Sequence, residues 1–184
     1  MNVLQLCKKF PYPAKDGESV AVLSISQGMA ACGADISLLA MNTSKHFVEV
    51  DRDAEELGHY NELRTVFVKN EIDPIDALIN LINGKSYNIE RFISESFEKQ
   101  LIDLLQNNAF DLIQLESLYM VPYIDTIRNY SKASIVMRSH NLEFEIWNDL
   151  ADKNSNPLLK WYYRLCSNRL KAYEFSHINL LDSI

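Results

Sequence analysis

The sequence predicts an α/β protein: a doubly wound, Rossmann-like and mostly parallel sheet of about six strands with helices on both faces. Short apolar runs alternate with amphipathic segments along the chain. Residues 2–41 already predict a strand, a helix and a second strand, and a crossover of this kind connects parallel strands. No internal repeat or interdomain linker interrupts the 184 residues, so we expect one domain over residues 1–184.

The first crossover unit is predicted over residues 2–7, 19–32 and 35–41. Its two outer segments are apolar enough for buried strands. The central segment has helical periodicity, with its apolar side on Val22, Leu23, Ser26, Met29 and Ala30. Gly33 stands just after this segment, where a residue with left-handed backbone commonly ends a helix.

The middle of the chain predicts a long loop, a strand and two helices. Residues 42–64 are polar and acidic without a clear period, which favours a long loop. Residues 65–69 predict a third strand, and Pro74 begins a short helix that ends before Asn83 and Gly84. Apolar residues at three- and four-residue steps then predict one amphipathic helix over residues 89–105.

The last part of the chain continues the alternation of strands and helices. Residues 111–116 and 134–138 predict the fourth and fifth strands, with a short helix over residues 119–130 between them. A helix follows the fifth strand, and Asn156 and Pro157 then supply an N-cap and a first-turn proline for a long final helix. Residues 177–181 predict a sixth strand.

Charge and composition exclude several classes of protein. The formal net charge of -7 argues against a nucleic-acid-binding surface, which requires a basic face. No apolar run approaches the roughly 20 residues of a membrane span, and no charged leader precedes the first strand, so we expect a cytoplasmic protein. The three cysteines are far apart, which favours reduced thiols over disulfides or zinc. We expect neither a metal nor a cofactor.

The loop after the first strand is a candidate ligand-binding segment. Pro11 and Pro13 restrict its shape, and Asp16, Gly17 and Glu18 come directly before a helix. In an open parallel sheet, ligands bind beyond the carboxyl ends of the strands, where a glycine lets the backbone approach them. The loop matches neither a dinucleotide fingerprint nor a P-loop. A plain structural turn is the alternative interpretation.

A second candidate site follows the fifth strand. His140 lies between Arg138 and Asn141, and Glu143 follows shortly after. This cluster is more polar than a structural turn requires, so we predict a functional role for His140. We expect the other histidines, His46, His59 and His177, to be structural.

Glu116 ends the fourth strand at the same predicted edge of the sheet. Together with Tyr119 it is a candidate for lining a pocket. The equal alternative for its carboxylate is an anchor at a helix N-terminus. The acidic residues of the long loop have no metal-binding spacing, so we interpret them as solvated surface.

Several segments, in the same order, resemble the family 4 glycosyltransferases of GT-B fold. They are the opening loop, the strand F-D-L-I-Q-L-E at residues 110–116 and the junction R-S-H-N-L-E at residues 138–143. Residues 161–174 are similar to the long helix, ending in a Tyr-Glu pair, that precedes the last strand of that family's N-terminal domain. The resemblance covers essentially the whole chain.

The resemblance implies a retaining, metal-independent sugar transfer from a nucleotide-diphosphate sugar to a glycan or lipid-linked acceptor. The reaction would take place in a cleft between two Rossmann-like domains. This chain would be the N-terminal, acceptor-side domain without the C-terminal donor-binding domain, and it would be inactive alone. Such an enzyme of polysaccharide biosynthesis would be cytoplasmic, with peripheral contact at the inner face of the membrane as a further expectation.

The resemblance also assigns roles to individual residues. The loop at Asp16, Gly17 and Glu18 would approach the donor diphosphate, and His140 would approach the transferred sugar as the catalytic residue. Many members of the family have a second glycine where this chain has Glu18. The remaining residues expected to bind substrate are Glu116, Tyr119, Asn141 and Glu143.

Two further functions stay open on the sequence. The first is a non-catalytic, acceptor-binding subunit of a split two-chain transferase. The second is half of a nucleotide-sugar epimerase of the same fold, in which Glu116 and His140 would be the acid-base pair.

Overall fold

A five-stranded sheet forms the centre of the computed structural model, which describes residues 1–71 and 84–184. The strands are β1 (Asn2–Cys7), β2 (Asp35–Thr43), β3 (Tyr60–Val68), β4 (Leu112–Leu115) and β5 (Ser134–Met137). Their order is β3-β2-β1-β4-β5, and every neighbouring pair is parallel. This is the strand order of a doubly wound sheet, so the predicted α/β fold class is confirmed.

Helices connect the strands on both faces of the sheet. They are α1 (Gly17–Ala31), α2 (Tyr87–Glu90), α3 (Glu95–Asn107), α4 (Ile124–Tyr130), α5 (Glu143–Lys153) and α6 (Pro157–His177). Short 3-10 turns lie at Ser44–His46, Glu55–Leu57, Leu118–Tyr123 and Ile178–Leu180. None of the helices in the described ranges combines the length and apolar character that a membrane span requires.

The sheet separates two hydrophobic clusters because successive side chains of a strand point to opposite faces. Leu4 and Leu6 of β1 belong to the larger cluster, which contains Leu101 of α3. Val3 of the same strand belongs to the smaller cluster, which contains Val22 of α1. Both faces of β1 are therefore buried, as expected for a central strand of a parallel sheet.

Two predicted helix ends, at Gly33 and Asn156, are confirmed by their capping geometry, whereas α1 begins at Gly17, two residues before its predicted start. The side chain of Asp16 accepts a hydrogen bond from Ser19 N at 2.9 Å and caps α1. At the other end of α1, Gly33 has a φ of +87°, and its amide donates to Ala30 O at 2.9 Å. Asn156 caps α6 in front of Pro157.

The predicted sixth strand over residues 177–181 is wrong. Helix α6 continues to His177, whose ring stacks on Tyr173 one turn earlier, and a 3-10 turn follows. No glycine or proline in this stretch stops the helix, so helical contacts extend further than the apolar run suggested. The chain reaches the sheet just after this turn, where Asp182 N donates to Ile135 O at 2.8 Å and Ser183 forms an isolated parallel bridge with Val136 of β5.

Two other predicted boundaries are corrected. The single helix over residues 89–105 is two helices, α2 and α3, because Ser94 adopts an extended backbone and caps α3. Strand β3 begins at Tyr60 instead of residue 65. It is an edge strand, and its polar residues Asn61 and Arg64 bond to side chains of neighbouring elements. The helix predicted from Pro74 lies outside the described residues.

Candidate functional site

A cleft of about 570 Å³ opens at the carboxyl edge of the sheet. Its walls come from the loops that follow β1, β2 and β3, the start of α1, and the α2–α3 junction. The lining residues are Lys8, Lys9, Glu18, Thr43, Ser44, Lys45, His46, Asn70, Glu71, Arg91, Phe92 and Tyr119. Ligands of doubly wound sheets bind in this position, which makes the cleft the candidate site.

Two lysines directly after β1 organise one wall of the cleft. Lys9 Nζ lies 2.6 Å from Asp16 Oδ2 and 3.4 Å from Glu18 Oε2. Lys8 Nζ lies 3.5 Å from the same Glu18 oxygen. The hydrogen bond from Lys9, together with the amide of Ser19, lowers the pKa of Asp16 to about 2. The Asp16 carboxylate is therefore ionised, and both Asp16 and Glu18 are paired with cations.

Lys8 also connects this wall to the segment after β5. Its Nζ lies 3.8 Å from Glu143 Oε1, at the first turn of α5, and 4.8 Å from the centre of the Tyr119 ring. The hydroxyl of Tyr119 donates to Glu143 Oε2 at 3.0 Å. The structure thus brings together Glu18, Tyr119 and Glu143, three of the residues that the sequence predicted for substrate binding.

Glu116 follows β4 and is 1% exposed, yet its carboxylate has several donors around it. Gln5 Nε2 donates to Oε1 at 2.6 Å, and Gln114 Nε2 donates to the same oxygen. Arg138 Nε donates to Oε2 at 2.8 Å, and its Nη2 lies 2.6 Å from that oxygen. Burial alone would raise the pKa of Glu116, but the hydrogen bonds from His140 and Arg138 lower it. Glu116 is therefore an ionised, buried carboxylate.

His140 is held beside this carboxylate. Its Nε2 lies 3.3 Å from Glu116 Oε2, and its side chain is 12% exposed. A histidine nitrogen that faces a carboxylate carries the proton, which makes Nδ1 the nitrogen able to accept a hydrogen bond. In the described ranges Nδ1 makes no hydrogen bond, so it is the atom of His140 that is available to a ligand.

The remaining predicted site residues are placed as follows. Gly17 is the first residue of α1; its backbone is not left-handed, and a Cβ there would meet nothing within 4 Å. Glycine is therefore not required by the backbone, but open space lies beside it. Asn141 is exposed, and its carbonyl accepts a hydrogen bond from Ser139 Oγ at 2.9 Å. Of the predicted site residues, Glu18 and Tyr119 line the cleft, whereas Asp16, Gly17, Glu116, His140, Asn141 and Glu143 do not.

His46 and His59, both expected to be structural, lie in different surroundings: one at the cleft and the other against a buried side chain. His46 lines the cleft and is exposed. His59 Nε2 lies 2.7 Å from the oxygen of the buried Ser26. The Tyr60 hydroxyl lies 3.0 Å from Ser26 Oγ and 2.9 Å from Gln5 Oε1, so a chain of polar contacts runs from His59 through the interior to Glu116.

Sequence reasoning missed four residues of this region: Gln5, Gln114, Lys8 and Arg91. Gln5 and Gln114 are opposite each other in the β1–β4 register, and both lie in otherwise apolar strands. A glutamine in the middle of each of two buried strands was a usable signal for a buried polar partner. The lysine pair after β1 was a second usable signal, in this case for a charged cleft at that end of the strand. Nothing in the sequence around Arg91 indicated that it would line the cleft.

The arrangement supports binding and positioning of a polar ligand. Burial raises the pKa of the Cys7 thiol well above its usual value, so the thiol near the cleft is protonated and unreactive at neutral pH. Among the residues that the structure describes, no group of three or more potential metal-binding side chains comes together. The chain matches no family model, and no curated protein matches it.

Proposed function

We propose that the chain is the N-terminal, acceptor-side domain of a retaining glycosyltransferase of GT-B fold. It would take part in moving a sugar from a nucleotide-diphosphate donor to a glycan or lipid-linked acceptor. One observation carries the proposal: His140, held by the buried Glu116, lies at the same sheet edge as the loop after β1, and Lys8 contacts both Glu18 and Glu143. Segments that the resemblance assigns to one site are thus neighbours.

The proposed chemistry is mainly positioning and electrostatic stabilisation. Nδ1 of His140 would accept a hydrogen bond from a hydroxyl of the transferred sugar or the acceptor, so His140 would orient the substrate without acting as a nucleophile. The amides at the start of α1 would face the donor diphosphate. Asp16 already occupies the amide of Ser19, which leaves those of Gly17 and Glu18 for a ligand.

Glu18 is compatible with this role despite its charge. An unpaired carboxylate beside a diphosphate would repel it. Here the Glu18 carboxylate lies 3.5 Å from Lys8 Nζ and 3.4 Å from Lys9 Nζ, so its charge is compensated locally. The same two lysines would add favourable charge for the leaving diphosphate.

The surroundings of Glu116 favour sugar transfer over the epimerase alternative. An epimerase needs carboxylate and histidine groups that exchange protons with the substrate. The carboxylate of Glu116 accepts hydrogen bonds from Gln5, Gln114 and Arg138 and is 1% exposed. A group so fully hydrogen-bonded, with its pKa lowered by those hydrogen bonds, is suited to positioning His140 rather than to taking up protons.

The test is a turnover measurement on the protein expressed from its full reading frame. Nucleoside diphosphate release is measured with a panel of nucleotide-diphosphate sugars. We expect His140→Ala to lower turnover about 100-fold with little change in thermal stability, as is typical when one positioned polar group is removed. His177→Ala, which removes a ring stacked on Tyr173 outside the cleft, is the matched control.

Each outcome of this test has a meaning. Unchanged turnover in His140→Ala removes that residue from the site. If the protein releases nucleoside diphosphate from no donor in the panel, the transferase proposal is contradicted. Acceptor binding without donor turnover, by a chain that needs a separate protein for activity, supports the split-subunit alternative.

A further inference from the structure

The described residues that line the cleft include more cationic than anionic side chains. Both carboxylates that line it have cations of their own. Glu18 is paired with Lys8 and Lys9, and Glu71 lies 3.7 Å from Lys69. Lys8 and Lys9 are further compensated by carboxylates behind the cleft wall. The lysines that follow β1 are therefore neutralised within the protein.

Two other cations of the cleft lack such partners. Within residues 1–71 and 84–184, neither Lys45 nor Arg91 forms an ion pair with a carboxylate. Arg91 instead lies near the rings of Tyr87 and Phe92, at 5.8 and 5.7 Å. Counted over the described lining residues, the cleft has an excess of about two positive charges in a chain of net charge -7.

Unsatisfied hydrogen-bonding groups line the same cleft. Thr43 is 1% exposed, and its Oγ1 has no hydrogen-bond partner in the described ranges. The buried Nε of Arg91 also has none there. Buried polar groups without partners are rare in folded proteins because leaving them unpaired costs free energy. A ligand that accepts hydrogen bonds in the cleft would remove this cost.

On the basis of the proposed function, we infer that the cleft binds the acceptor through a phosphoryl group, with Arg91, Lys45 and Thr43 as its ligands. A phosphate monoester carries a charge of about -1.5 to -2 at pH 7, which matches the two uncompensated cations better than a carboxylate does. Guanidinium, ammonium and hydroxyl groups all donate to phosphate oxygens. The phosphate belongs either to a soluble sugar phosphate or to a lipid.

Titration of the 184-residue chain with inorganic phosphate, at an ionic strength kept constant with chloride, tests the site. We expect saturable binding that Arg91→Gln weakens about tenfold and Lys45→Ala several-fold. Thr43→Val should also weaken binding several-fold, with no loss of stability, because the hydroxyl has no hydrogen-bond partner among the described residues. Lys99→Ala is the control, since Lys99 is exposed on α3 and paired with Glu95. Equal affinity in the wild type, Arg91→Gln and Lys45→Ala overturns the inference, as does an equal loss in Lys99→Ala.

Two further arms identify the source of the phosphate. One uses glucose 1-phosphate, and the other uses phosphatidic acid vesicles with phosphatidylcholine vesicles as the blank. Arg91-dependent binding of glucose 1-phosphate supports a soluble sugar phosphate as the ligand. Arg91-dependent binding of the phosphatidic acid vesicles supports a lipid phosphate. Binding that Arg91→Gln leaves unchanged in both arms overturns the inference.

The phosphate titration tests the phosphoryl site, and the turnover measurement tests the transferase proposal, so either proposal can be rejected without the other. Sugar transfer with no Arg91-dependent phosphate binding removes the phosphoryl site and leaves the transferase. Arg91-dependent phosphate binding with no sugar transfer rejects the transferase and the acceptor role, and leaves an anion site.

Discussion

The two buried carboxylates Glu116 and Glu174 show how neighbours decide the charge state of a residue. Burial disfavours the ionised form of both carboxyl groups and so acts to raise each pKa. At Glu116 the hydrogen bonds from His140 and Arg138 outweigh burial, and the pKa falls. At Glu174, which is 5% exposed, burial raises the pKa, and the negative charges of Glu143 and Glu145 raise it further. The charge of Glu116 is stabilised by its neighbours, whereas the charge of Glu174 destabilises the folded state.

We predict that Glu174→Gln stabilises the protein at neutral pH. A carboxyl group whose pKa is raised by folding destabilises the native state above that pKa, and the penalty disappears below the unfolded value of about 4.3. The expected gain in unfolding free energy is about 1 kcal/mol at pH 7, falling toward zero near pH 4. Urea denaturation at both pH values measures it. The exposed Glu145→Gln should gain less, and a loss of stability at pH 7 in Glu174→Gln would contradict the prediction.

At the scale of elements, α3 illustrates how one helix face anchors the larger cluster. Phe97, Leu101 and Leu104 are fully buried, whereas Lys99 and Gln100 are exposed on the opposite side. The hydroxyl of Tyr123 accepts a hydrogen bond from Ser94 N, which fixes the start of the helix against the 3-10 turn after β4. The position of the cleft wall at the α2–α3 junction therefore depends on this packing.

We predict that Leu101→Ala destabilises the protein by about 2–5 kcal/mol, because it leaves a cavity in a cluster that cannot fully collapse. The control on the exposed side of the helix, Lys99→Ala, should change the unfolding free energy by less than about 0.5 kcal/mol. Chemical denaturation of the two variants measures the difference. Similar values for both would mean that α3 does not pack on the sheet as described.

At the scale of the whole molecule, the carboxyl edge of the sheet gathers side chains from segments far apart in the chain. Lys8, Tyr119 and Glu143 meet there, and Glu116 joins them through Arg138 and His140. The described residues there surround a cleft of about 570 Å³, which the proposed function treats as one wall of a two-domain site. A donor that needs two walls would find only part of its contacts on this chain.

We therefore predict that the 184-residue chain alone binds nucleotide-diphosphate sugars weakly or not at all, with dissociation constants above about 100 μM, and does not turn them over. Isothermal titration calorimetry with the donor panel measures the affinity. Tight, low-micromolar binding of a donor to this chain would contradict its assignment as the acceptor-side half.

Local signals predicted most of the fold and part of the site. The apolar pattern of β1, the Asn156 cap and Gly33 act over a few residues, so they can be recognised in the sequence. The same signals placed Glu18 and His140 at strand ends. Local signals failed where context decided the structure, as at the break near Ser94 and the extension of α6 to His177.

The sequence by itself determined a parallel α/β domain and the end of the sheet at which its polar loops lie. Only the tertiary structure decided which side chains meet there. Gln5 reaches Glu116 across 111 positions of the chain, and Arg91 reaches the cleft from a helix junction that no motif marks. The physical reason is that strand order and register, not neighbours in sequence, bring these groups within hydrogen-bonding distance.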